Sequence, residues 1–157
     1  MRQAVRAIVI RDKQLLAMHR NKFGHVFYEL VGGGIDPLES HEKALRREVK
    51  EETSLELGNL RLVLVEQAGK PFGTQYIYLS EYVGGEPVMQ SNSDEAEINK
   101  LGQNLYTPVW LEVSQLPKVA FLSKQLQERL IAGFESGFPT KPEEFSSNAE
   151  YSEMVGE

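Results

Sequence analysis

The stretch GGIDPLESHEKALRREVKEETSL, from Gly33 to Leu55, contains the clearest signals in the chain. Ser40 is a favourable N-cap, and apolar residues recur at helical spacing from Ala44 to Val49, which predicts a helix from Ser40 to about Thr53. The glycines at 32–34 let the backbone enter left-handed conformations or approach a ligand closely. The sequence therefore predicts a glycine turn, a loop from Ile35 to Glu39, and then an amphipathic helix.

The regions on either side of this stretch predict strands and one further helix. Apolar and β-prone runs predict a tight hairpin at Asp12-Lys13 and strands at residues 4–10, 14–20, 26–31, 60–67, 74–83 and 106–113. Residues 84–104 are polar and predict a long loop. Apolar residues at helical spacing predict a helix over 121–134. Strands interleaved with two helices predict an α/β (α+β) fold with a mixed sheet covered on both sides.

The composition is that of one globular domain. The chain has 157 residues, of which 41% are hydrophobic and 25% are charged, and this is enough for a single core. We expect the domain to cover residues 1–137. Beyond Gly137 the sequence contains two prolines, and its charged residues are mostly glutamate. This composition predicts a mobile acidic tail over residues 138–157.

The charge and the residue types exclude several classes of function. The net charge of −6 argues against nucleic acid as a partner, because phosphate backbones are held by clusters of Lys and Arg. A small anionic substrate would need a cation. The absence of cysteine rules out disulfides and thiolate zinc sites. The apolar run near the N-terminus is too short for a signal peptide or a membrane span, so we expect a cytoplasmic protein with no membrane partner.

Three carboxylates share one face of the predicted helix. Glu48, Glu51 and Glu52 fall within an arc of about 100° on a helical wheel. Neighbouring carboxylates raise one another's pKa unless a positive charge lies among them. Arg47 offsets part of this repulsion, and Mg²⁺, which prefers carboxylate and water oxygens, would offset the rest. The alternative is a solvated surface on which Glu and Lys alternate for solubility.

The spacing of these residues resembles the Nudix box, Gly-x5-Glu-x7-Arg-Glu-U-x-Glu-Glu-x-Gly-U, in which U is aliphatic. The matching positions are Gly33, Glu39, Arg47, Glu48, Val49, Glu51, Glu52 and Leu55. Ser54 stands where the pattern has Gly, a residue that favours the left-handed geometry at a helix end. We therefore expect Ser54 to shift the end of the helix, while the metal ligands upstream are retained.

The resemblance implies a Nudix-type α/β/α sandwich and a Mg²⁺-dependent hydrolase, with Mn²⁺ as a substitute ion. Enzymes of this family split a nucleoside diphosphate joined to a group X, giving a nucleoside monophosphate and phosphorylated X. The implied metal ligands are Glu48 and Glu52, with Glu51 as a third or water-mediated ligand. A backbone carbonyl of Gly32 or Gly33 is a further implied ligand.

The resemblance also implies roles for the remaining residues of the box. Arg47 is implied to orient the carboxylates, and Glu39 to brace the loop before the helix. The general base lies either in the box, at Glu51 or Glu52, or in a later loop. The candidates in that loop are Asp94, Glu95 and Glu97, each of which has the alternative of a solvent-exposed acidic residue.

Substrate choice in this family depends on residues outside the box. Pro71 stands sixteen residues after Leu55, a spacing that resembles the ADP-ribose-cleaving branch. Phe72 and Tyr76 are candidates for stacking on a nucleobase, with packing inside the sheet as the alternative. Arg20 is a candidate for contacting phosphate, with a solvent-facing position as the alternative.

Three functions follow from these expectations. The first is hydrolysis of ADP-ribose, an ADP-sugar or a related nucleoside diphosphate derivative. The second is a pyrophosphohydrolase that removes damaged nucleoside triphosphates. The third is a Nudix-fold module that binds a nucleotide without cutting it, although such a module has no need of three clustered carboxylates. The resemblance also implies pairing of two copies as a homodimer.

Overall fold

The computed structural model describes residues 2–147. These residues form β1 (Gln3–Arg11), β2 (Gln14–Lys22), β3 (His25–Glu29), β4 (Val31–Gly34), α1 (His41–Thr53), β5 (Leu57–Gln67), β6 (Thr74–Tyr82), α2 (Asp94–Asn99), β7 (Asn104–Glu112), a 3₁₀ helix (Val113–Lys118), α3 (Lys124–Ser136) and β8 (Glu143–Ser146). No helix in the described range is long and apolar enough to cross a membrane.

The strands form one mixed sheet organised around β1. This strand pairs antiparallel with β2 and β4 and parallel with β6. On one side, β2 pairs with β3 and β7; on the other, β6 pairs with β5, and β5 pairs in parallel with β8. Asp12 turns the chain between β1 and β2 with φ of 53°, which confirms the predicted hairpin.

Two apolar clusters cover the two faces of the sheet, as the sequence predicts. Alternate residues of β1 point to opposite faces, so Val5 joins the cluster beneath α1, whereas Ile8 joins the cluster beneath α3. Leu45 of α1 and Leu130 of α3 are both fully buried. Burial of each leucine contributes about 2 kcal/mol, so the two stripes anchor the helices on the sheet.

The glycines at 32–34 form strand β4 and not the predicted turn. Gly32 is paired with Arg6 of β1, and its φ is 136°. A Cβ on Gly32 would lie 2.0 Å from the carbonyl oxygen of Val5. The glycine is therefore needed for close strand packing, which a sequence rich in Gly does not distinguish from a turn.

The predicted loop over 84–104 contains a short helix, α2. Its N-cap is Ser93, whose hydroxyl accepts a hydrogen bond from the N–H of Ala96 at 3.1 Å. Asp94, Glu95 and Glu97 lie in its first turn. A capping serine followed by acidic residues is a recognised helix start, so the signal was present in the sequence.

The predicted tail from residue 138 is ordered over its first part. β8 pairs with the outer edge of β5, and the side chain of Phe145 is buried in the cluster beneath α3. The guanidinium of Arg129 stacks on the Phe145 ring, 4.0 Å from its centre. The acidic composition of this segment predicts a mobile tail, and the burial of Phe145 is not evident from composition. The rest of the predicted tail, residues 148–157, lies outside the described residues.

Candidate active site

Helix α1 is capped at both ends by serines. The hydroxyl of Ser40 accepts a hydrogen bond from the N–H of Lys43 at 3.1 Å, as predicted. Ser54 takes the left-handed conformation that Gly has in the family pattern, with φ of 65°, and its N–H donates to the carbonyl of Lys50 at 2.8 Å. Its hydroxyl also donates to the carbonyl of Val88. The expected shift of the helix end is therefore wrong, since Ser54 adopts the glycine geometry.

The opposite faces of α1 separate packing from chemistry. Ala44, Leu45 and Val49 are buried in the core, whereas Glu48 and Glu52 face the glycine backbone of β4. The Glu48 carboxylate occupies the space where a side chain would begin on Gly33, because a Cβ there would lie 2.5 Å from Glu48 Oε2. Gly33 is thus required for the position of this carboxylate.

Glu52 is enclosed by the protein and held by a backbone amide. Its side chain is only 3% exposed, and Oε1 accepts a hydrogen bond from the N–H of Gly32 at 3.0 Å. Burial raises the pKa of the Glu52 carboxyl well above its usual range. The Arg6 guanidinium opposes this rise, whereas the charges of Glu95 and Glu48 reinforce it. A carboxylate in this setting favours a nearby cation.

Arg47 connects the helix to the loop before it. Its guanidinium donates to both carboxylate oxygens of Glu39 at 2.8 Å and to Glu48 Oε1 at 2.9 Å. It also donates to the carbonyl of Gly34 at 3.3 Å. The hydrogen bonds from Arg47 lower the pKa of Glu39 to about 2. These contacts are those expected of an orienting residue and a loop brace.

Glu51 lies near the carboxylate pair but does not line its pocket within residues 2–147. Its Oε1 is 3.8 Å from Nη1 of Arg47, and its side chain is 38% exposed. The charge of Glu51 nevertheless raises the pKa of Glu48, whose largest cause of elevation is burial. The structure therefore places Glu51 beside Arg47, in a position distinct from those of Glu48 and Glu52.

Helix α2 brings Glu95 to the site and turns Glu97 away from it. Glu95 and Asp94 line the same pocket as Glu48 and Glu52. Burial raises the pKa of Glu95, and the nearby Asp94 and Glu51 carboxylates raise it further. Glu97 is largely exposed and forms an ion pair with Lys100 at 2.9 Å. Of the three distal base candidates, Asp94 and Glu95 line the pocket, and Glu95 is the more buried of the two.

Three arginines complete the pocket. Arg2, Arg6 and Arg20 line it together with the carboxylates. Arg20 is 1% exposed, so it does not face solvent. It forms an ion pair with Glu29 at 3.2 Å, and its guanidinium carbon lies 3.6 Å from the centre of the Tyr106 ring. The sequence prediction missed Arg6, although an arginine inside an otherwise apolar strand was an available signal.

Phe72 and Tyr76, the two predicted stacking residues, lie in different places. Phe72 lines the pocket and is 6% exposed. Tyr76 packs on His41 at the start of α1, with ring centres 4.4 Å apart. The prediction of Tyr76 as a substrate contact is therefore wrong, because alternate residues of β6 face opposite sides of the sheet and Tyr76 faces α1.

The donor set of the pocket suits a hard divalent cation. Within residues 2–147, no three His, Asp or Glu side chains form a closed metal cluster. The site presents instead an open set of oxygens, in which the Glu48 carboxylate fills the space above Gly33 and Glu52 lies beside it. Mg²⁺ is typically held by one or two carboxylates with water and substrate phosphates completing its octahedron, so the residues fit this ion.

Proteins similar in sequence are named as NAD-capped RNA hydrolase NudC. The NudC of Photobacterium profundum is 29% identical over 115 residues, which cover 73% of this chain and 38% of that protein. The NudC of Pseudomonas putida is 33% identical over 110 residues, covering 70% of this chain and 36% of that protein. The chain thus spans little more than a third of the length of these relatives.

Solved structures share the fold. An ADP-ribose pyrophosphatase from Streptococcus suis superimposes with a TM-score of 0.64 at 20% identity, covering 92% of this chain and 98% of the other. A MutT structure described for Aliivibrio salmonicida and Vibrio cholerae gives 0.66 at 18% identity, covering 85% and 98%. The family model of the NUDIX domain matches residues 1–132, a range that includes Gly33, Glu48, Glu52 and Glu95. The chain belongs to the Nudix family.

Proposed function

We propose that this chain is a pyrophosphohydrolase that uses a divalent metal ion to cleave the diphosphate linkage of a nucleoside diphosphate derivative. The observation that carries this proposal is one pocket that brings together Glu48, packed over Gly33, Glu52, held by the Gly32 N–H, and three arginines. A diphosphate is strongly anionic, so it needs cations on both sides. Arginine supplies one side directly, and the carboxylates supply the other by holding a cation.

Glu48 and Glu52 would hold the ion; the missing side chain of Gly33 gives Glu48 its space, and the Gly32 N–H holds Glu52. Bound Mg²⁺ or Mn²⁺ supplies neutralisation of charge on the diphosphate oxygens and lowers the pKa of water. Arg47 keeps Glu48 in place through its hydrogen bond at 2.9 Å. Arg6 and Arg20, which line the same pocket, orient the phosphates. Glu95, with its raised pKa, accepts the proton of the attacking water.

The Glu95 assignment predicts unequal effects for two neighbouring residues. Glu95→Gln lowers kcat by about 10²- to 10³-fold, because an amide accepts no proton from water. Glu97→Gln, a matched change on the solvent side of the same helix, leaves kcat within about twofold of wild type. Both variants are measured by steady-state hydrolysis across pH. Equal losses in the two variants, or an unchanged kcat in Glu95→Gln, would remove Glu95 from the base role.

Two kinds of evidence bear on the substrate class: the position of Pro71 and the names of similar proteins. The spacing of Pro71 favours an ADP-ribose or ADP-sugar substrate. The relatives named NAD-capped RNA hydrolase add NAD-type dinucleotides and capped RNA ends as candidates. Those names weigh against the expectation that nucleic acid is excluded as a partner. The second candidate activity is the hydrolysis of nucleoside triphosphates to a monophosphate and pyrophosphate.

A substrate panel tests the proposal directly. ADP-ribose, NAD, the common nucleoside triphosphates and an NAD-capped RNA are incubated with the protein and Mg²⁺, and the products are identified by mass. We expect a nucleoside monophosphate and a second phosphorylated product from a diphosphate substrate. Removing the metal with EDTA should lower the rate by more than about 100-fold, and Mg²⁺ or Mn²⁺ should restore it. Cleavage of no panel member would favour a nucleotide-binding module.

A further inference from the structure

A buried carboxylate lies outside the catalytic constellation. Glu66, near the end of β5, is 4% exposed. Two serine hydroxyls donate to its Oε2, one from Ser123 and the other from Ser147 at 2.6 Å. A buried carboxylate held by neutral donors retains acceptor capacity on its second oxygen. Glu66 is thus fixed in position through one oxygen only.

The two serines are themselves held so that their protons point to Glu66. Ser123 is the N-cap of α3, and its hydroxyl oxygen accepts a hydrogen bond from the N–H of Leu126 at 3.2 Å. Ser147 follows β8, and its N–H donates to the carbonyl of Gln67 at 2.9 Å. Among residues 2–147, both donors to the Glu66 carboxylate bond its Oε2, and none forms a hydrogen bond with Oε1.

Glu66 lines a small cavity beside the catalytic pocket. Its volume is about 30 Å³, the space of one small chemical group. Arg6, Glu29 and Phe72 line both the cavity and the catalytic pocket, so the two spaces are adjacent. Its remaining walls are largely apolar, with Leu122 packed on Phe72. Such walls suit the edge of a planar ring better than a hydroxyl-rich sugar.

The side-chain amide of Gln75, which also lines the cavity, is hydrogen-bonded at both ends. The side-chain oxygen of Gln75 accepts from Nε of Arg6 at 2.9 Å, and its amide nitrogen donates to the carbonyl of Phe72 at 2.6 Å. Gln75 therefore offers little to a ligand. The second carboxylate oxygen of Glu66, Oε1, thus supplies a hydrogen-bond acceptor in the cavity wall.

We propose that Oε1 of Glu66 accepts a hydrogen bond from an exocyclic amino group on the nucleobase of the substrate, which makes Glu66 a specificity-determining residue. This inference rests on the proposed function, because it requires a nucleotide in the catalytic pocket. A base without the amino group leaves a buried acceptor unpaired, and sites built on such a bond discriminate strongly against the analogue that lacks it. Adenine, guanine and cytosine carry the required donor, whereas uracil and hypoxanthine lack it.

The test compares nucleotides that differ by one amino group. Calorimetric binding is measured for AMP against purine riboside 5′-monophosphate and for GMP against IMP. We expect wild type to bind the amino member at least about 10-fold more tightly in one or both pairs. In Glu66→Gln the amide oxygen can satisfy the serines while its NH₂ enters the cavity. The preference should then fall below about threefold or reverse.

Two further variants separate recognition from folding. Glu81→Gln, a matched change at an exposed position of β6, should keep the wild-type preference. Ser147→Ala retains the carboxylate but loosens it, so the preference should fall partway, by about threefold. A preference equal in wild type and Glu66→Gln, or absent from wild type, would overturn the inference even if the panel shows hydrolysis. Failure of hydrolysis across the panel would instead overturn the proposed function.

Discussion

Glu52→Gln should lower kcat by at least about 10³-fold, equivalent to about 4 kcal/mol of transition-state stabilisation. Glu52 is the most enclosed carboxylate of the site, and a neutral amide cannot hold a divalent cation there. Steady-state hydrolysis of the substrate found in the panel, with Mg²⁺ titrated to saturation, measures the loss. Higher metal concentration should not restore the rate.

The same substitution should leave the fold intact. The amide oxygen of Gln can still accept the Gly32 N–H, and burial already disfavours the charged form of Glu52. The melting temperature should therefore equal or exceed that of wild type. Glu42→Gln is the matched control, because Glu42 is exposed on the same helix and forms a surface ion pair with Arg46 at 3.4 Å. A Glu52→Gln enzyme that retains more than about a tenth of wild-type kcat would show that the metal site is elsewhere.

Alanine at Gly33 should cost about 10²-fold in kcat/KM, while alanine at the adjacent Gly34 should cost little. A methyl group on Gly33 would lie 2.5 Å from Glu48 Oε2 and would force that carboxylate out of its position. On Gly34 the nearest atom would be 3.9 Å away, on the Arg2 side chain, which is ordinary contact. Neither position has the positive φ that makes Gly32 different. The two variants thus separate displacement of a carboxylate from general damage to β4.

Hydrolysis assays and thermal unfolding of both variants distinguish these effects. Gly33→Ala should remain folded, because the displaced atoms are the far end of a side chain and not backbone. Similar activities for Gly33→Ala and Gly34→Ala would mean that the Glu48 position over Gly33 is not used in catalysis. Loss of folding in Gly34→Ala would contradict the open space seen beside it.

Local signals were sufficient to predict α1 and the placement of Glu48 and Glu52 away from its packed face. The cap at Ser40, the apolar stripe and the spacing of the carboxylates all depend on residues within one helix, where geometry follows directly from sequence. The strands β4 and β8 depend on distant partners. Gly32 is explained only by the backbone of Val5, and Phe145 only by the cluster beneath α3. The residues next to Gly32 and Phe145 in the sequence do not indicate either of these long-range contacts.

The choice between Glu95 and Glu97 as the base also could not be made from local sequence signals. Two positions apart on a helix, side chains diverge by about 200°, so one faces the pocket while the other faces solvent. The distinction required knowing that α2 exists. Arg6 and Glu66 were missed for a different reason. A buried charge acquires its meaning from partners such as Gly32 and Ser147, which come from other parts of the chain.

The attachment of β8 to the edge of β5 makes the proposed recognition cavity a late product of protein synthesis. The family match ends at residue 132, before the strand that supplies Ser147. On the ribosome, α1 and its carboxylates emerge long before Glu66 gains its second serine. A chain released before β8 would carry the carboxylates and arginines proposed to cleave the diphosphate. It would lack the Ser147 hydrogen bond that holds Glu66, the residue proposed to recognise the base. In the order of synthesis, the proposed metal-binding carboxylates of α1 therefore precede Ser147, which completes the proposed base-recognition site.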